Sequence, residues 1–509
     1  MGTRAKYDLL VVGGGINGCG IARDAAGRGF SVLLAEKGDL AQATSSASTK
    51  LIHGGLRYLE QYEFRLVREA LAEREVLWHI APHVVSPLRF ILPHHAGLRP
   101  AWLLRLGLFL YDHLGGRRLL PPTRTIDLRQ DPAGIALKPG YRRAFEYSDC
   151  RVDDARLVVL NARDAADRGA DIRTHTEVRA LQRDGAIWNV TLRGEEGDEE
   201  VVTARMVINA TGPWVDGLRA MAAGTASFHD IRLVQGSHIV VRRKSADPRA
   251  FIFQNADGRI VFAIPYENDF TLIGTTDRDY SGDRDKVAIT EAEVNYLCTA
   301  ASEYFSEPVQ PADVVWTYAG VRALHDDGTE RAQEATRDYS LTMDGGDGVA
   351  PIVHAFGGKI TTYRRLAEAM MVLVGNELGA RGAPWTATAP LPGGAFPPMG
   401  VEIEIARLRK RYDFLSAALA GRLIRSYGLC AYEVLGEARE LAELGLPLAP
   451  DLHEAELRYL ADREWARNVD DVFWRRTKIG LKASAAERNA VAAFMDQHHH
   501  AGWATETSA

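Results

Sequence analysis

The sequence predicts an α/β protein that combines a parallel sheet flanked by helices, a domain rich in antiparallel strands and a C-terminal helical domain. Three observations support this class. A glycine-rich turn joins an apolar strand to a helix within residues 7–28. Residues 251–266 have the pattern of a β-hairpin, with residues 255–258 as its turn. Beyond residue 400, apolar side chains recur at helical spacing.

The composition is that of an ordinary globular protein. A chain of 509 residues exceeds what one hydrophobic core usually organises, so we expect two or three domains. The net charge of −6 gives no overall positive field, and we expect no nucleic-acid partner. The four cysteines, Cys19, Cys150, Cys298 and Cys430, show no C-x-x-C spacing. We therefore expect neither a metal site nor disulfide bonds, and a reducing, cytoplasmic compartment.

The first strand, helix and second strand form a dinucleotide-binding unit. Gly13, Gly15 and Gly18 follow an apolar strand at residues 7–12. The first glycine allows a tight turn, the second allows backbone to approach a pyrophosphate, and the third allows close helix packing. A second strand at residues 31–35 leads to Glu36, whose carboxylate is placed to accept hydrogen bonds from ribose hydroxyls. The unit predicts an adenosine diphosphate moiety, and both NAD and FAD contain one.

Three further loops carry chemistry-bearing residues. They are residues 43–60, which contain His53-Gly54-Gly55, residues 207–216, and residues 354–368, which contain Gly357-Gly358-Lys359 at the start of an expected helix. With the segments GSHIVV, LIGTTD, WTYAGVRAL, TRDYSL and FGGKITTYR, they resemble the FAD-dependent glycerol-3-phosphate dehydrogenases, the aerobic respiratory enzymes of the bacterial type. The resemblance extends to about residue 378 and is looser in the C-terminal helices.

The resemblance implies noncovalent FAD and an FAD/NAD(P)-binding Rossmann-like domain of the glutathione reductase and D-amino-acid oxidase type. An NAD enzyme needs only the first loop, whereas FAD needs contacts from several distant segments. No cysteine lies in a loop assigned to the isoalloxazine. The implied cofactor residues are Gly13, Gly15, Ile16, Asn17, Gly18, Glu36, Thr44, Ser45, Ser48, Lys50, Leu51, Val178, Ala210, Gly212 and Lys359.

The resemblance also implies a cationic substrate site. Arginine binds phosphate through two parallel hydrogen bonds, which makes Arg57, Arg322 and Arg337 the candidate phosphate ligands. His238 matches the active-site histidine of the family, and an imidazole pKa near 6.5 suits proton acceptance. The implied substrate residues are Arg57, Tyr58, His238, Arg322, Arg337 and Lys359, of which His238, Arg57 and Lys359 are the catalytic candidates.

The implied reaction converts sn-glycerol 3-phosphate into dihydroxyacetone phosphate by hydride transfer to flavin N5, and the electrons pass to a membrane quinone. Three alternatives stay open. A glycerol-3-phosphate oxidase would pass the electrons to oxygen and make peroxide. A related amine or amino-acid oxidase would need one arginine for a carboxylate. A non-catalytic flavin redox sensor would hold reduced flavin without turnover.

The FAD-binding domain is expected to combine residues 1–85, 150–225 and 345–385. Residues 86–149 and 226–344 would form the substrate domain, residues 386–400 a linker, and residues 401–509 a C-terminal helical domain without catalytic residues that serves contacts in a homodimer. Residues 99–118 carry an apolar face between arginines, which is typical of a helix lying on a membrane and also of a core helix. The first interpretation predicts a peripheral protein on the inner face of the cytoplasmic membrane.

Overall fold

Two large β-sheets and a group of C-terminal helices organise the chain, and the cavity described below lies between the sheets. The computed structural model describes residues 6–59, 62–116, 119–225, 231–325 and 338–501. The strands are β1 (Tyr7–Val12), β2 (Val32–Ala35), β3 (Leu51–Ile52), β4 (Val85–His94), β5 (Arg124–Asp127), β6 (Arg143–Val152), β7 (Asp171–Arg173), β8 (Glu177–Asp184), β9 (Ile187–Arg193), β10 (Glu199–Asn209), β11 (Ile231–Arg242), β12 (Ala250–Gln254), β13 (Ile260–Tyr266), β14 (Phe270–Gly274), β15 (Arg278–Asp279), β16 (Val314–His325), β17 (Tyr339–Gly346), β18 (Val349–Gly357), β19 (Pro447–Ala449) and β20 (Leu452–His453). The helices are α1 (Ile16–Gly27), α2 (Phe64–Ile80), α3 (Ala101–Leu114), α4 (Asp154–Asp167), α5 (Val215–Ala223), α6 (Glu291–Ser302), α7 (Tyr363–Leu378), α8 (Val401–Arg411), α9 (Ala417–Tyr427), α10 (Ala431–Leu435), α11 (Glu454–Glu464) and α12 (Ala485–Ala501).

The first sheet has the order β17-β18-β10-β1-β2-β7, and its pairs from β18 to β7 are parallel. Because side chains alternate along a strand, β1 has two apolar faces. Leu9 and Val11 pack in the core that contains α1, α4 and α7, whereas Leu10 and Val12 pack against the β8–β9 hairpin. The sheet is buried on both faces, which confirms the expected fold class.

Within the part of the chain that the structure describes, the second sheet has ten strands. Their order is β15-β11-β14-β13-β12-β4-β6-β3, with β16 paired to β11 and β5 to β6. The expected hairpin is confirmed, since β12 and β13 are antiparallel with Phe251 opposite Ala263. One face of the sheet packs against α6 around Ile239 and Phe253. The other face carries a second apolar cluster and faces the cavity.

Two strands lie in a different sheet from the one that the expected domain limits give them. β17 begins before residue 345 but pairs with β18 in the first sheet, and a two-residue turn joins the two strands. β3 lies within residues 1–85 but pairs with β6 in the second sheet. The chain therefore passes between the sheets near residue 50, and the first domain takes in residues 339–344.

The C-terminal helices α8 to α12 surround their own apolar core, which includes Leu423 and Phe473. Buried ion pairs join this unit to the first sheet. Arg476 donates hydrogen bonds to both carboxylate oxygens of Asp39 at 2.7 and 2.8 Å, and Arg475 also binds Asp39. Arg156 of α4 donates from Nη2 to Glu464 at 2.8 Å. The carboxylates compensate the desolvation of the buried guanidinium groups.

Helix α3 exposes the face that the sequence marks as apolar. Trp102 is 69% exposed, Leu106 48% and Phe109 55%, whereas Leu108 and Tyr111 are buried. The core interpretation of that face is therefore wrong, since the helix rests on its other side. Among the described residues, no helix combines the length and the hydropathy needed to cross a bilayer.

Candidate active site

A cavity of about 1310 Å³ lies between the two sheets. Its wall combines the glycine-rich turn after β1, the loop at residues 41–49, the end of β10, the loop at residues 357–361 and the exposed face of the second sheet. These segments are far apart in sequence, as the resemblance implied for a long dinucleotide. The volume exceeds that of a typical pocket for a small ligand.

The turn after β1 depends on its glycines. Gly13 has φ +111°, and a Cβ there would lie 2.5 Å from the carbonyl oxygen of Ala210. A Cβ on Gly18 would collide with the carbonyl oxygen of Gly13, so Gly18 lies under the turn and is not part of the cavity wall. Helix α1 then begins at Ile16, with its N-terminus towards the cavity. The first N–H groups of a helix favour an anion such as a pyrophosphate.

Polar groups close to this helix end leave acceptors for a ligand. The Ile16 N–H donates to Ser45 Oγ at 3.0 Å. Asn17 donates from Nδ2 to the Gly357 carbonyl at 3.3 Å, and its buried Oδ1 has no partner among the described residues. A buried amide oxygen without a partner is costly, and a ligand hydroxyl would satisfy it. The residues present therefore fit a dinucleotide.

Glu36 lies at the end of β2, where the sequence placed it. Its carboxylate accepts hydrogen bonds from the Gly14 N–H at 2.6 Å and the Gly38 N–H at 2.9 Å. Burial raises the pKa of Glu36, and these two hydrogen bonds act in the opposite direction. Val178, Ala210 and Gly212 line the same part of the cavity.

The loop that follows residue 43 is fixed by its own polar side chains. Thr44 donates to the Val321 carbonyl at 2.6 Å, and Ser48 Oγ donates to Asp154 at 2.7 Å. The Lys50 ammonium lies 2.8 and 3.0 Å from the carboxylate oxygens of Asp154 and is buried. Lys50 is therefore placed behind the cavity wall, because a buried ammonium needs a carboxylate partner. Leu51 does line the cavity.

The structure describes some of the substrate residues that the resemblance implies, and the others lie outside the described residues. Lys359 Nζ lies 3.7 Å from the centroid of the Tyr58 ring, and both residues line the cavity. Helix α7 begins at Tyr363, four residues beyond Lys359. Arg322 also lines the cavity and donates to Asp277 at 2.5 Å. The side chain of Arg57 and the whole of Arg337 lie outside the described residues.

The structure places His238 one layer behind the wall. It lies in β11 opposite Gly274 and Tyr318, is fully buried and is not part of the cavity lining. Its ring stacks on the Tyr318 ring with centroids 4.7 Å apart, and its Nε2 lies 3.0 Å from Thr49 Oγ1. Burial, with the nearby cations Arg322 and Lys50, holds the pKa of His238 well below its usual value.

Several wall residues were not among the sequence-based candidates. Thr49 and His53 lie in the same polar segment as Thr44 and Ser45, so that segment was the available signal. The C-terminal unit also reaches the wall through Asp470, Trp474 and Arg475, although no catalytic residues were expected there. The Trp474 ring stacks on that of Trp316 at 4.5 Å between centroids. No local pattern predicts this contact across the sequence.

Comparison with known proteins identifies the family. Residues 8–364 match the model for FAD dependent oxidoreductases, and residues 384–508 match the model for the C-terminal domain of alpha-glycerophosphate oxidase. The second match begins two residues before the expected linker at residues 386–400. FAD is therefore the cofactor of this oxidoreductase, in agreement with the fit of the dinucleotide site.

Relatives extend over nearly the whole chain. A D-erythritol 1-phosphate dehydrogenase of Brucella abortus is 50% identical over 96% of this chain and 97% of its own length. The aerobic glycerol-3-phosphate dehydrogenase of Escherichia coli is 48% identical over 96% of this chain and 97% of its own. The structure of a Bacillus halodurans glycerol-3-phosphate dehydrogenase complexed with FAD has a TM-score of 0.77 at 29% identity, and the match covers 97% of this chain and 91% of that one. The chain belongs to the FAD-dependent oxidoreductases, within the family of the bacterial FAD-dependent glycerol-3-phosphate dehydrogenases.

Proposed function

We propose that this enzyme oxidises sn-glycerol 3-phosphate to dihydroxyacetone phosphate and passes the electrons to a membrane quinone. One observation carries the proposal. Arg322 and Lys359 line the same cavity as the dinucleotide turn, so a phosphate-binding group and a cofactor site share one space. Several relatives of this chain are named glycerol-3-phosphate dehydrogenases, including the Escherichia coli enzyme.

The substrate phosphate would bind the Arg322 guanidinium. The carboxylate of Asp277 lies 2.5 Å from one of the terminal nitrogens of Arg322 and fixes the direction of the fork. The fork also lies over Gly236, where a Cβ would be 2.9 Å from Arg322 Nη2. Asp277 and Gly236 thereby orient the phosphate-binding group. Arg57, Tyr58 and Arg337 would complete the binding of the phosphate and the glycerol hydroxyls.

Oxidation of a secondary alcohol removes a hydride from carbon and a proton from oxygen. When bound, FAD supplies the hydride acceptor at N5. Lys359 would lie beside the N1 and O2 edge, where its positive charge stabilises the charge that develops on reduction. A neutral His238 is the proton acceptor in this scheme, because the lowered pKa leaves its imidazole unprotonated at neutral pH.

Helix α3 would be the contact with the membrane that holds the quinone. Trp102, Leu106 and Phe109 form its exposed apolar face, and Arg99 and Arg105 lie beside them in the sequence. Aromatic and aliphatic side chains next to arginines suit the interface of an anionic bilayer. This placement supports peripheral contact with a membrane, and we propose that the contact is with its cytoplasmic face. We also propose a homodimer, with the C-terminal helices in its interface.

A second substrate is favoured by a specific comparison. The relative named D-erythritol 1-phosphate dehydrogenase is 50% identical over nearly the full length. Its substrate name indicates one additional hydroxylated carbon beside the same kind of phosphate ester. A common arrangement of Arg322 and Lys359 would bind the phosphate end of either molecule, and the cavity beyond these residues would determine the preferred chain length.

The test is anaerobic bleaching of the flavin absorbance by each ester. We expect bleaching by sn-glycerol 3-phosphate and much slower bleaching by glycerol and by sn-glycerol 1-phosphate. Faster bleaching by D-erythritol 1-phosphate would assign that substrate. A flavin that is bleached neither by sn-glycerol 3-phosphate nor by D-erythritol 1-phosphate would refute the proposed oxidation. Turnover with a soluble quinone and a low peroxide yield in air would support the quinone acceptor, whereas stoichiometric peroxide would indicate an oxidase.

A further inference from the structure

The surroundings of His238 differ from those of a structural core histidine. Its Nε2 lies 3.0 Å from Thr49 Oγ1, and its Nδ1 is buried without a hydrogen-bond partner among the described residues. The buried His83 also has nitrogens without hydrogen-bond partners among the described residues, so the Thr49 contact, and not the unpaired Nδ1, distinguishes His238. Here, among the described residues, the one polar contact of the ring is a hydroxyl on the cavity wall.

The fold holds the imidazole in this orientation. The Tyr318 ring lies almost parallel to it, at 15° between the planes. On the neighbouring strand β14, Gly274 leaves the room that the ring occupies, since a Cβ at that position would collide with the imidazole. The imidazole is thus held between the Tyr318 ring of β16 and the backbone of Gly274 in β14.

Thr49 therefore separates His238 from the cavity. Thr49 is one of the residues that line the cavity, whereas His238 is not. A hydroxyl group can accept one proton while it donates its own, so it can connect two groups that do not touch. The tautomer of His238 with its proton on Nδ1 would accept the Thr49 proton at Nε2. The oxygen lone pairs of Thr49 would then face the cavity.

We propose that the Thr49 hydroxyl relays the proton of the alcohol substrate to His238, so that Thr49 is the group that touches the reacting oxygen. This inference rests on the proposed function. The alcohol carbon gives up a hydrogen with two electrons to the flavin, and the alcohol oxygen gives its proton to Thr49 Oγ1. In the same step the original Thr49 proton moves to His238 Nε2. The products are a ketone, the reduced cofactor and an imidazolium, whose proton returns through the Thr49 hydroxyl to the cavity once the ketone has left.

Strand β16 and the loop at residues 44–50 place charged and titratable groups near the imidazole. Strand β16 contributes Tyr318 and Arg322, the loop at residues 44–50 contributes Lys50, and β14 contributes only Gly274. Both cations favour the neutral ring and oppose protonation. The relay therefore predicts that flavin reduction keeps its rate through pH 6.5 and slows only as the pH falls to the lowered pKa of His238.

The decisive variants change one group on Thr49. Thr49→Val keeps the shape and removes the hydroxyl, and Thr49→Ser keeps the hydroxyl. In anaerobic stopped-flow mixing of FAD-loaded enzyme with sn-glycerol 3-phosphate or D-erythritol 1-phosphate, Thr49→Val should slow flavin reduction by about 10²- to 10⁴-fold, the usual range for general acid–base catalysis. Thr49→Ser should stay within about tenfold of the wild type. Thr388→Val, at an exposed threonine outside the cavity wall, is the matched control.

Three further measurements distinguish a proton relay from a structural role of Thr49. Thr49→Val should keep the wild-type FAD content and melting temperature, and dithionite should bleach its flavin at the wild-type rate. Its remaining reduction rate should lose the acid limb of the pH profile. The double variant Thr49→Val with His238→Asn should be no slower than the slower single variant. Reduction of Thr49→Val at the wild-type rate would overturn the relay, as would loss of its FAD. If neither ester bleaches the wild-type flavin, the proposed function fails instead.

Discussion

The buried carboxylate of Asp39 should hold the C-terminal unit against the first sheet, and the substitution Asp39→Asn tests this. Asp39 is 1% exposed and binds Arg475 and Arg476, of which Arg476 is fully buried. The substitution keeps the size of the side chain but removes the carboxylate that both guanidinium groups bind, while Arg475 keeps Asp471 as a second partner. Breaking a buried ion pair on one side costs about 3–5 kcal/mol. Because the fully buried Arg476 loses this carboxylate, we expect a loss within that range.

The assay is urea unfolding of the FAD-loaded enzyme at pH 7, followed by tryptophan fluorescence. Glu437→Gln is the matched control, since Glu437 pairs with Arg411 while 95% exposed. That control should change the free energy of unfolding by less than about 1 kcal/mol. The arginines also hold the pKa of Asp39 below its usual 3.8. The stabilisation by Asp39 is therefore complete above pH 3.8 and disappears as the pH falls through the lower folded-state pKa. A loss below about 1 kcal/mol in Asp39→Asn would refute the reasoning.

Three further predictions concern the cavity and the membrane contact. Gly13→Ala should release FAD, because the left-handed turn and the Ala210 carbonyl leave no room for a Cβ. The fluorescence of free flavin after gel filtration measures the release, and full retention of FAD would contradict the prediction. Asp277→Asn should raise KM for the phosphate ester about tenfold or more with a smaller change in kcat, because the Arg322 fork loses its anchor, and an unchanged KM in steady-state kinetics would contradict it. Phe109→Ser should weaken binding to anionic vesicles in a flotation assay, whereas the equally exposed control Val372→Ser on α7 should not; equal binding would exclude α3.

The sequence predicted those parts of the site that depend on neighbouring residues. Strand β1, the glycine turn, helix α1 and Glu36 follow one another within about thirty residues, and each residue type has one physical reason for its place. The β12–β13 hairpin was predictable for the same reason. The resemblance supplied the more distant residues of the wall, among them Arg322 and Lys359.

Other features arise from contacts between distant segments and carry no local pattern. Lys50 is paired with Asp154, which lies 104 residues away, and no spacing rule links an isolated lysine to a particular carboxylate. The side-chain alternation of the strand predicts which face of β11 carries His238. Its depth behind Thr49 depends on the loop that covers it, which the alternation does not show. An exposed apolar helix face and a buried one have the same sequence pattern. Only the packing of α3 in the folded protein shows that its apolar face is exposed.

The dispersed origin of the cavity wall has a consequence for biosynthesis. The wall begins at Val12 and ends at Arg475, so its last contributor leaves the ribosome after more than nine-tenths of the chain. A nascent polypeptide therefore presents the nucleotide turn long before the opposite side exists to enclose a ligand. Enclosure of a ligand by the complete wall therefore requires the C-terminal unit, which contributes Asp470, Trp474 and Arg475.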